Sequence, residues 1–325
     1  MEYKNFESSY NQFLKENQKK KEETIWNHSK IRINQDVLIN NEKEILSKLR
    51  QYIDDWSGSG KAGEKRIIKK NGEILFKNQK FDDALNASFK ITKLVFKKLF
   101  NEELKNFTNL DYHNAQEYCM QNAYLMPNTF DRKKILDIGS GFGRSLSVPS
   151  ELINDLLYCS VEIQKEQYFF QYLFYSCFKN LNFFEYFEDP KNFSITDSPG
   201  IYHLPTLKMN LLPSNFFDHV ICTFVLGEIP IKLVKILIQD IKRVLKPRGS
   251  LYIRDHLGRF YNKKVTLHDL LSKDFFCEFH PYLIDGKEVQ GNHFIYRKKI
   301  KEYPFYNSKN KFFKKLIFKI ISNLI

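Results

Sequence analysis

The chain has 325 residues and a net charge of +13, with 42% hydrophobic and 15% aromatic residues. This length predicts one large domain with an appendage, or two domains, and the hydrophobic fraction suffices for a core. The five cysteines lie far apart without a CxxC pair or a Cys/His cluster, so neither a disulfide framework nor a metal site is predicted. The first residues lack the apolar segment of a signal peptide, and no run reaches the roughly 20 apolar residues of a spanning helix. A cytoplasmic location is therefore expected.

Residues 1–130 are predicted to form a helical region that caps the rest of the chain and contributes to substrate binding. Residues 1–56 are polar with apolar residues at helical spacing, and WSGSGKAG (56–63) predicts a flexible break. Asn71-Gly72 between two apolar runs predicts a hairpin. Helices are expected over 81–106 and 111–126. The second carries His113, which lies either over a cofactor or in the core.

Residues 131–300 alternate predicted strands with helices. Strands are expected at 135–138, 156–163, 201–205, 216–226 and 250–256, helices at 164–179 and 231–245, and a closing strand pair at 275–284 and 292–298. This alternation predicts an α/β fold with a mostly parallel sheet, helices on both faces and a closing antiparallel strand. Such sheets bind ligands at the carboxyl ends of their strands, where the strand order reverses.

A glycine-rich loop, DIGSGFG (137–143), directly follows the first of these strands. Glycines there let the backbone turn sharply and approach a ligand closely. The third glycine is Gly143, and Arg144 stands where a GxGxxG dinucleotide fingerprint needs glycine; a GxxxxGK[ST] phosphate loop is also absent. The DxGxGxG pattern instead resembles motif I of the class I S-adenosylmethionine-dependent methyltransferases.

The resemblance continues in the correct order over residues 133–256. Glu162 ends the second strand 25 residues after Asp137, FFDHVICTFVLGEIP (216–230) is similar to the family's fourth strand, and IKRVLKPRGSLYIRDH (241–256) to its next helix, turn and strand. The last segment has PRG where PGG is usual. The resemblance implies a Rossmann-like methyltransferase domain over 131–300 that uses S-adenosyl-L-methionine.

It also implies roles for individual residues. The loop would hold the methionine part of the cofactor, with Asp137 at its ammonium group, and Glu162 would accept hydrogen bonds from both ribose hydroxyls. The loop residues are Asp137, Gly139, Ser140, Gly141 and Gly143. The family usually has an acid after strand three; here two registers offer Thr206 or Asn210, and Asn210 is favoured for the adenine.

Three polar residues at strand ends are candidates for catalysis. Glu228 follows the fourth strand, and Asp255 and His256 end the fifth. His256 could accept a hydroxyl proton at neutral pH. Each has an alternative interpretation as an ordinary polar strand end or helix cap.

A narrower resemblance concerns the acceptor. LYCSVEIQKEQYFFQYLFYSCF (157–178) followed by LGEIP (226–230) is similar to sugar O-methyltransferases encoded among bacterial surface-polysaccharide genes. It implies a glycan or other small-molecule hydroxyl acceptor. The alternatives are RNA or protein methylation, or a non-catalytic cofactor-binding relative. The absence of an NPPY-type tetrad and of a Pro-Cys nucleophile disfavours base methylation, and a nucleic-acid partner is not expected.

The tail, residues 301–325, is basic and amphipathic. The last 29 residues carry nine basic residues and one acid, +8 of the net +13. A helical projection of 309–325 separates lysines from apolar residues. Two interpretations stay open: a helix docked on its own domain, or peripheral contact with an anionic membrane at its inner face.

Overall fold

The computed structural model describes residues 3–16, 42–58, 80–122, 133–255, 260–262, 265–279 and 293–299. The predicted hairpin at 71–72, the candidate base His256 and the tail 301–325 lie outside these ranges. Within them, no helix has the length and apolar character needed to cross a membrane.

Helices precede the sheet. They are α1 (Tyr3–Glu16), α2 (Glu42–Gly58), α3 (Lys80–Val95) and α4 (Asn109–Asn122). The predicted helix over 81–106 is too long, because α3 passes into a π-helical turn, Phe96–Phe100, that ends at Asn101 with a φ of 57°. Asparagine tolerates this left-handed conformation. The predicted break at 56–63 begins too early, since α2 continues to Gly58.

Eight strands form the main sheet of the described residues, in the order β3-β4-β2-β1-β5-β6-β10-β9. The strands are β1 (Lys134–Ile138), β2 (Leu157–Glu162), β3 (Phe183–Glu185), β4 (Gly200–Pro205), β5 (Phe217–Thr223), β6 (Leu245–Arg254), β7 (Phe260–Asn262), β8 (Val265–Thr266), β9 (Phe275–Phe279) and β10 (His293–Lys298). Strands β7 and β8 pair separately. The neighbours from β3 to β6 are parallel, and β10 is antiparallel to both β6 and β9. The predicted fold class is therefore confirmed.

Within the described residues, four further α-helices lie between or after the strands. They are α5 (Pro149–Leu152), α6 (Lys165–Tyr175), α7 (Ile231–Val244) and α8 (Leu267–Leu271). The amphipathic α7 buries most of its apolar residues at the predicted helical spacing, while Ile236 is exposed. The short edge strand β3 was not predicted from the sequence. Its three residues are too few to give a clear alternation of apolar and polar positions.

The strand order reverses at β1, with β2 on one side and β5 on the other. Ile138, the last residue of β1, is in register with Val161 of β2 and Cys222 of β5. Thr223 at the end of β5 is in register with Arg254 at the end of β6. The carboxyl ends of these parallel strands therefore meet at one edge of the sheet, which is where a ligand is expected.

The N-terminal helices share a hydrophobic core with the sheet. Phe6 of α1 and Leu49 of α2 belong to the same buried cluster as the strand residues. Phe6 stacks on Tyr168 of α6, with ring centroids 5.6 Å apart. This packing brings α1 and α2 to the carboxyl edge of the sheet, while the boundary at residue 130 stays a prediction.

Candidate functional site

The loop after β1 depends on glycine at two close approaches. Gly139 has a φ of 68°, and a Cβ there would lie 2.4 Å from Cγ2 of Val225. Gly143 has a φ of 93°, and a Cβ there would lie 2.6 Å from the ring of Tyr175. A side chain at either position would combine an unfavourable backbone conformation with a steric overlap.

Asp137 is buried at the end of β1 and offers an acceptor atom. Its Oδ2 accepts a hydrogen bond from the Tyr158 hydroxyl at 2.5 Å, whereas Oδ1 is buried and makes none within the described residues. Burial raises the pKa of Asp137 to about 7, although the hydrogen bond from Tyr158 and the nearby Ser145 hydroxyl lower it. A buried carboxylate oxygen without a donor fits a ligand that brings its own N–H group.

Glu162 is buried at the end of β2. Its Oε1 accepts from the amides of Ile163 at 2.6 Å and Gln164 at 3.0 Å, and its Oε2 accepts from Nε2 of Gln171 at 3.2 Å. Burial raises the pKa of Glu162 to about 7, while these donors and the Gly141 amide lower it. Since the bond to Oε2 is the longest of the three, Oε2 is the oxygen with more capacity to accept from a ligand hydroxyl.

The side chain of Ser140 faces the protein interior. Its Oγ lies 2.6 Å from Oγ of Ser160, and Gln171 donates from Nε2 to the Gly141 carbonyl at 2.6 Å. The sequence interpretation missed Gln171. Its signal was a lone amide in the aromatic run YFFQYLFY (168–175) of α6.

Two N-terminal tyrosines reach this edge of the sheet. The Tyr10 hydroxyl of α1 donates to the Ile163 carbonyl at 2.5 Å, directly after Glu162. The Tyr52 hydroxyl of α2 lies 3.6 Å from where a Cβ of Gly141 would stand. Helices α1 and α2 thus border both acidic and glycine-rich parts of the site.

The adenine-side candidates follow β4. A 3₁₀ segment, Thr206–Leu211, starts immediately after this strand. Within it Thr206 is half-buried and Asn210 is exposed, while Met209 between them packs in the core. Asn210 is therefore accessible to a ligand, and its role stays a prediction.

The acceptor-side candidates lie at the ends of β5 and β6. Asp255 is buried, and its Oδ2 accepts from the Gly227 amide at 2.6 Å, so it ties the loop after β5 to the end of β6. Glu228 follows in the same loop and is exposed. Their catalytic roles, like that of His256, stay predictions.

A buried polar cluster, which the sequence did not predict, also lies at this edge. Glu117 of α4 pairs with Arg144 at 2.5 Å, accepts from Thr223 at 3.2 Å and lies 3.7 Å from the Arg254 guanidinium. Burial, with the charges of Arg144 and Arg254, lowers the pKa of His113 to about 4, so His113 is neutral at pH 7. These residues come from separate parts of the chain, and no sequence pattern connects them.

Comparison with known proteins decides the family. The methyltransferase domain family matches residues 110–294, more than half of the chain. The chain belongs to this methyltransferase family. Membership confirms the predicted enzyme class, methyl transfer with S-adenosylmethionine as the cofactor. Asp137 lies buried beside the glycine loop, and its assignment to the cofactor's ammonium group stays a prediction.

Solved structures similar to this methyltransferase come from several microorganisms. The PH0226 protein of Pyrococcus horikoshii OT3 is 14% identical, with a TM-score of 0.40, over 58% of this chain and 92% of its own. A SAM-dependent methyltransferase of Aquifex aeolicus is 16% identical, with a TM-score of 0.33, over 51% and 81%. One of Methanosarcina mazei is 17% identical, with a TM-score of 0.36, over 55% and 99%. No curated protein matches the chain.

Proposed function

We propose that this methyltransferase methylates a hydroxyl group of a sugar, a glycan or another small molecule. The supporting observation is that donor-binding and polar groups meet at one edge of the sheet. Val225 lies against Gly139 of the glycine loop, and Thr223, only two residues earlier, belongs to the polar cluster. The glycine loop and the polar cluster are therefore neighbours at this edge. The donor and a hydroxylated acceptor would therefore lie next to each other.

On the donor side, the chain supplies charge and close backbone approach. Asp137 Oδ1 would accept from the ammonium group, Glu162 Oε2 from the ribose, and the loop between them would line the methionine part. When bound, S-adenosylmethionine supplies an activated methyl group on a sulfonium. The task of the protein is to orient the acceptor oxygen in line with that methyl group.

On the acceptor side, the backbone is strained where β5 ends. Phe224 is a non-glycine residue with a φ of 53°, and the Arg254 guanidinium lies 5.0 Å from the centre of its ring. Such conformations persist where the surrounding structure imposes them, often at binding sites. Thr223 and Arg254, which are partly exposed beside the buried Glu117, offer hydrogen-bonding groups that suit an acceptor rich in hydroxyls.

A hydroxyl acceptor needs a base at this edge, because its oxygen loses a proton as it takes the methyl group. The candidates are Glu228, Asp255 and His256. Asp255 already accepts from Gly227, whereas Glu228 is exposed. We therefore expect Asp255 to shape the loop, and Glu228 or His256 to receive the proton.

The donor site is tested by calorimetry with S-adenosylhomocysteine. We expect wild-type protein to bind, and Asp137→Asn and Glu162→Gln to weaken binding about tenfold or more, since each removes a charge-assisted hydrogen bond. Asp240→Asn is the matched control, because Asp240 pairs with Arg243 on the surface of α7. Absence of binding by wild-type protein, or unchanged affinity in both site variants, would refute the donor site.

The acceptor class is tested with a methyl-labelled donor. Candidate monosaccharides, glycans, RNA and protein are offered in parallel to wild-type protein and to Glu162→Gln. We expect label in the glycan or small-molecule fraction with wild-type protein only. Label in RNA or protein instead would overturn the proposed acceptor and leave the donor site standing.

Peripheral contact with an anionic membrane is a separate proposal, supported by the basic amphipathic pattern of residues 309–325. Sedimentation with anionic vesicles compares the full chain with a 1–305 truncation. We expect the full chain to pellet and the truncation to stay in solution. Equal pelleting of both proteins would remove this proposal.

A further inference from the structure

Gln171 lies buried in α6, and its amide joins separate parts of the donor site. Its Nε2 donates to the Gly141 carbonyl at 2.6 Å and to Glu162 Oε2 at 3.2 Å, and its Oε1 accepts from Ser160 Oγ at 2.9 Å. A backbone carbonyl can only accept, so the nitrogen of the amide must face Gly141. The orientation of the Gln171 amide is therefore fixed by its partners.

The same amide reaches the glycine loop a second time through two hydroxyls. Ser160 uses its proton on Gln171 Oε1, so at 2.6 Å it accepts from the hydroxyl of Ser140. Ser140 stands in the loop itself. Gln171 is thus connected to the loop through the Gly141 backbone and the Ser140 side chain, and to the acid at the end of β2.

A buried pair on the edge strands holds Gln171 from the other side. His203 Nε2 lies 2.9 Å from Gln171 Oε1, and because that oxygen only accepts, Nε2 carries a proton. His203 Nδ1 lies 2.5 Å from Glu185 Oε2, and Glu185 Oε1 accepts from the Tyr168 hydroxyl at 2.6 Å. Both side chains of the His203–Glu185 pair are completely buried.

Burial of such a pair is weak evidence for a role in stability, because well-packed apolar residues in its place are often equally stable. Its geometric consequence is specific, however. The imidazole donates to Gln171 Oε1, which prevents the amide from turning over. A reversed amide would direct its oxygen at the Gly141 carbonyl and at Glu162, both of which are acceptors.

We propose that Gln171, oriented by His203 and Glu185, is the positioning residue that fixes the Glu162 carboxylate and the Gly141 backbone for S-adenosylmethionine. This inference rests on the proposed donor site, since the role of Glu162 is assigned there. Gln171 acts through Glu162 and the loop.

The test uses the full chain with Gln171→Glu. This change keeps the size of the side chain and its acceptor oxygens, but it removes both N–H donors and places a second carboxylate beside Glu162. Gln239→Glu on α7 is the matched control, because Gln239 also donates to a carboxylate, Asp274, at 2.8 Å and is exposed. We expect Gln171→Glu to weaken S-adenosylhomocysteine binding about tenfold or more, and Gln239→Glu to leave it unchanged.

A second ligand separates positioning from general stability. The 2′-deoxy analogue of S-adenosylhomocysteine lacks one of the hydroxyls assigned to Glu162. We expect wild-type protein to prefer the parent ligand, and Gln171→Glu to lose most of this preference, because Glu162 is no longer oriented. A residue that only stabilises the fold would lower the unfolding temperature and leave the preference intact. The double variant His203→Phe/Glu185→Leu replaces both members of the buried pair by apolar residues, so it leaves no buried carboxylate without its partner. It provides a second test, with the same loss of preference expected, should Gln171→Glu not fold.

The outcomes distinguish the inference from the donor site on which it rests. Wild-type affinity and preference in Gln171→Glu, or in a folded His203→Phe/Glu185→Leu double variant when Gln171→Glu is unfolded, would overturn the positioning role alone. A wild-type protein that does not bind S-adenosylhomocysteine would overturn the donor site itself, and unchanged binding after Glu162→Gln would overturn the role of Glu162 on which the inference rests.

Discussion

Gly139→Ala tests how tightly the glycine loop is built. Alanine at this position would adopt a φ of 68°, which costs a residue with a Cβ about 1–2 kcal/mol. Its methyl group would also lie 2.4 Å from Cγ2 of Val225, an overlap that costs about 1–3 kcal/mol in a well-packed site. We expect the free energy of unfolding to fall by about 2–5 kcal/mol in total.

The two contributions can be separated by a second substitution. Val225→Ala removes Cγ2, and the next nearest atom, Val225 Cβ, would lie 3.8 Å from the new methyl group, an ordinary contact. In the Val225→Ala background, Gly139→Ala should therefore cost only the backbone part, about 1–2 kcal/mol. The difference between the two backgrounds measures the steric overlap.

Urea unfolding of wild-type protein, both single variants and the double variant supplies the four free energies of the cycle. S-adenosylhomocysteine is left out, so that ligand binding does not contribute. An equal cost of Gly139→Ala in both backgrounds would show that Val225 does not restrict the loop. No cost in either background would refute the left-handed conformation as well.

Two other groups of this edge give further predictions. Burial raises the pKa of Asp137 from 3.8 to about 7, so between these pH values the folded protein binds more protons than the unfolded one. The free energy of unfolding should therefore fall as the pH rises from 4 to 7. Urea unfolding of Asp137→Asn should lack this part of the pH dependence. Tyr158→Phe should raise this pKa further, seen as a shift of the pH profile to higher pH, because the hydrogen bond that favours the charged form is lost. Arg144→Met leaves Glu117 buried without its closest partner and should lower the free energy of unfolding in urea by about 3–5 kcal/mol. Lys97→Met, at an exposed ion pair, is the control and should change it little. Equally small changes in both variants would mean that the Arg144–Glu117 pair stabilises the fold no more than an exposed ion pair does.

The local patterns of the sequence predicted the frame of the site. Strand β1, the DIGSGFG loop and the acid that ends β2 are each encoded in a few adjacent residues. In such short segments an aliphatic run indicates a buried strand, and closely spaced glycines indicate a tight turn. The closing pair of β9 and β10 was also predicted, because both segments are apolar and aromatic. Family membership then confirmed the enzyme class that the loop implied.

The sequence failed where tertiary contacts decide the outcome. The predicted helix over 81–106 has no proline or glycine to end it, and the π turn that ends it is a detail of packing. Glu117 and Arg254 are 137 residues apart and meet only because α4 covers the ends of β5 and β6. Gln171 stands in an aromatic run, and its role depends on which face of α6 meets the glycine loop.

The polar residues that no motif explains hold the glycine loop from both of its sides. On the side of β2, Gln171 binds the Gly141 carbonyl and reaches Ser140 through Ser160. On the side of β5, Arg144, the residue that follows the third glycine, is held by Glu117 of α4. A loop with three left-handed glycines has high conformational entropy when unfolded, so a fixed binding geometry requires such anchors. The motif therefore supplies the shape that the cofactor needs, and α4 and α6 supply the rigidity that makes this shape persist.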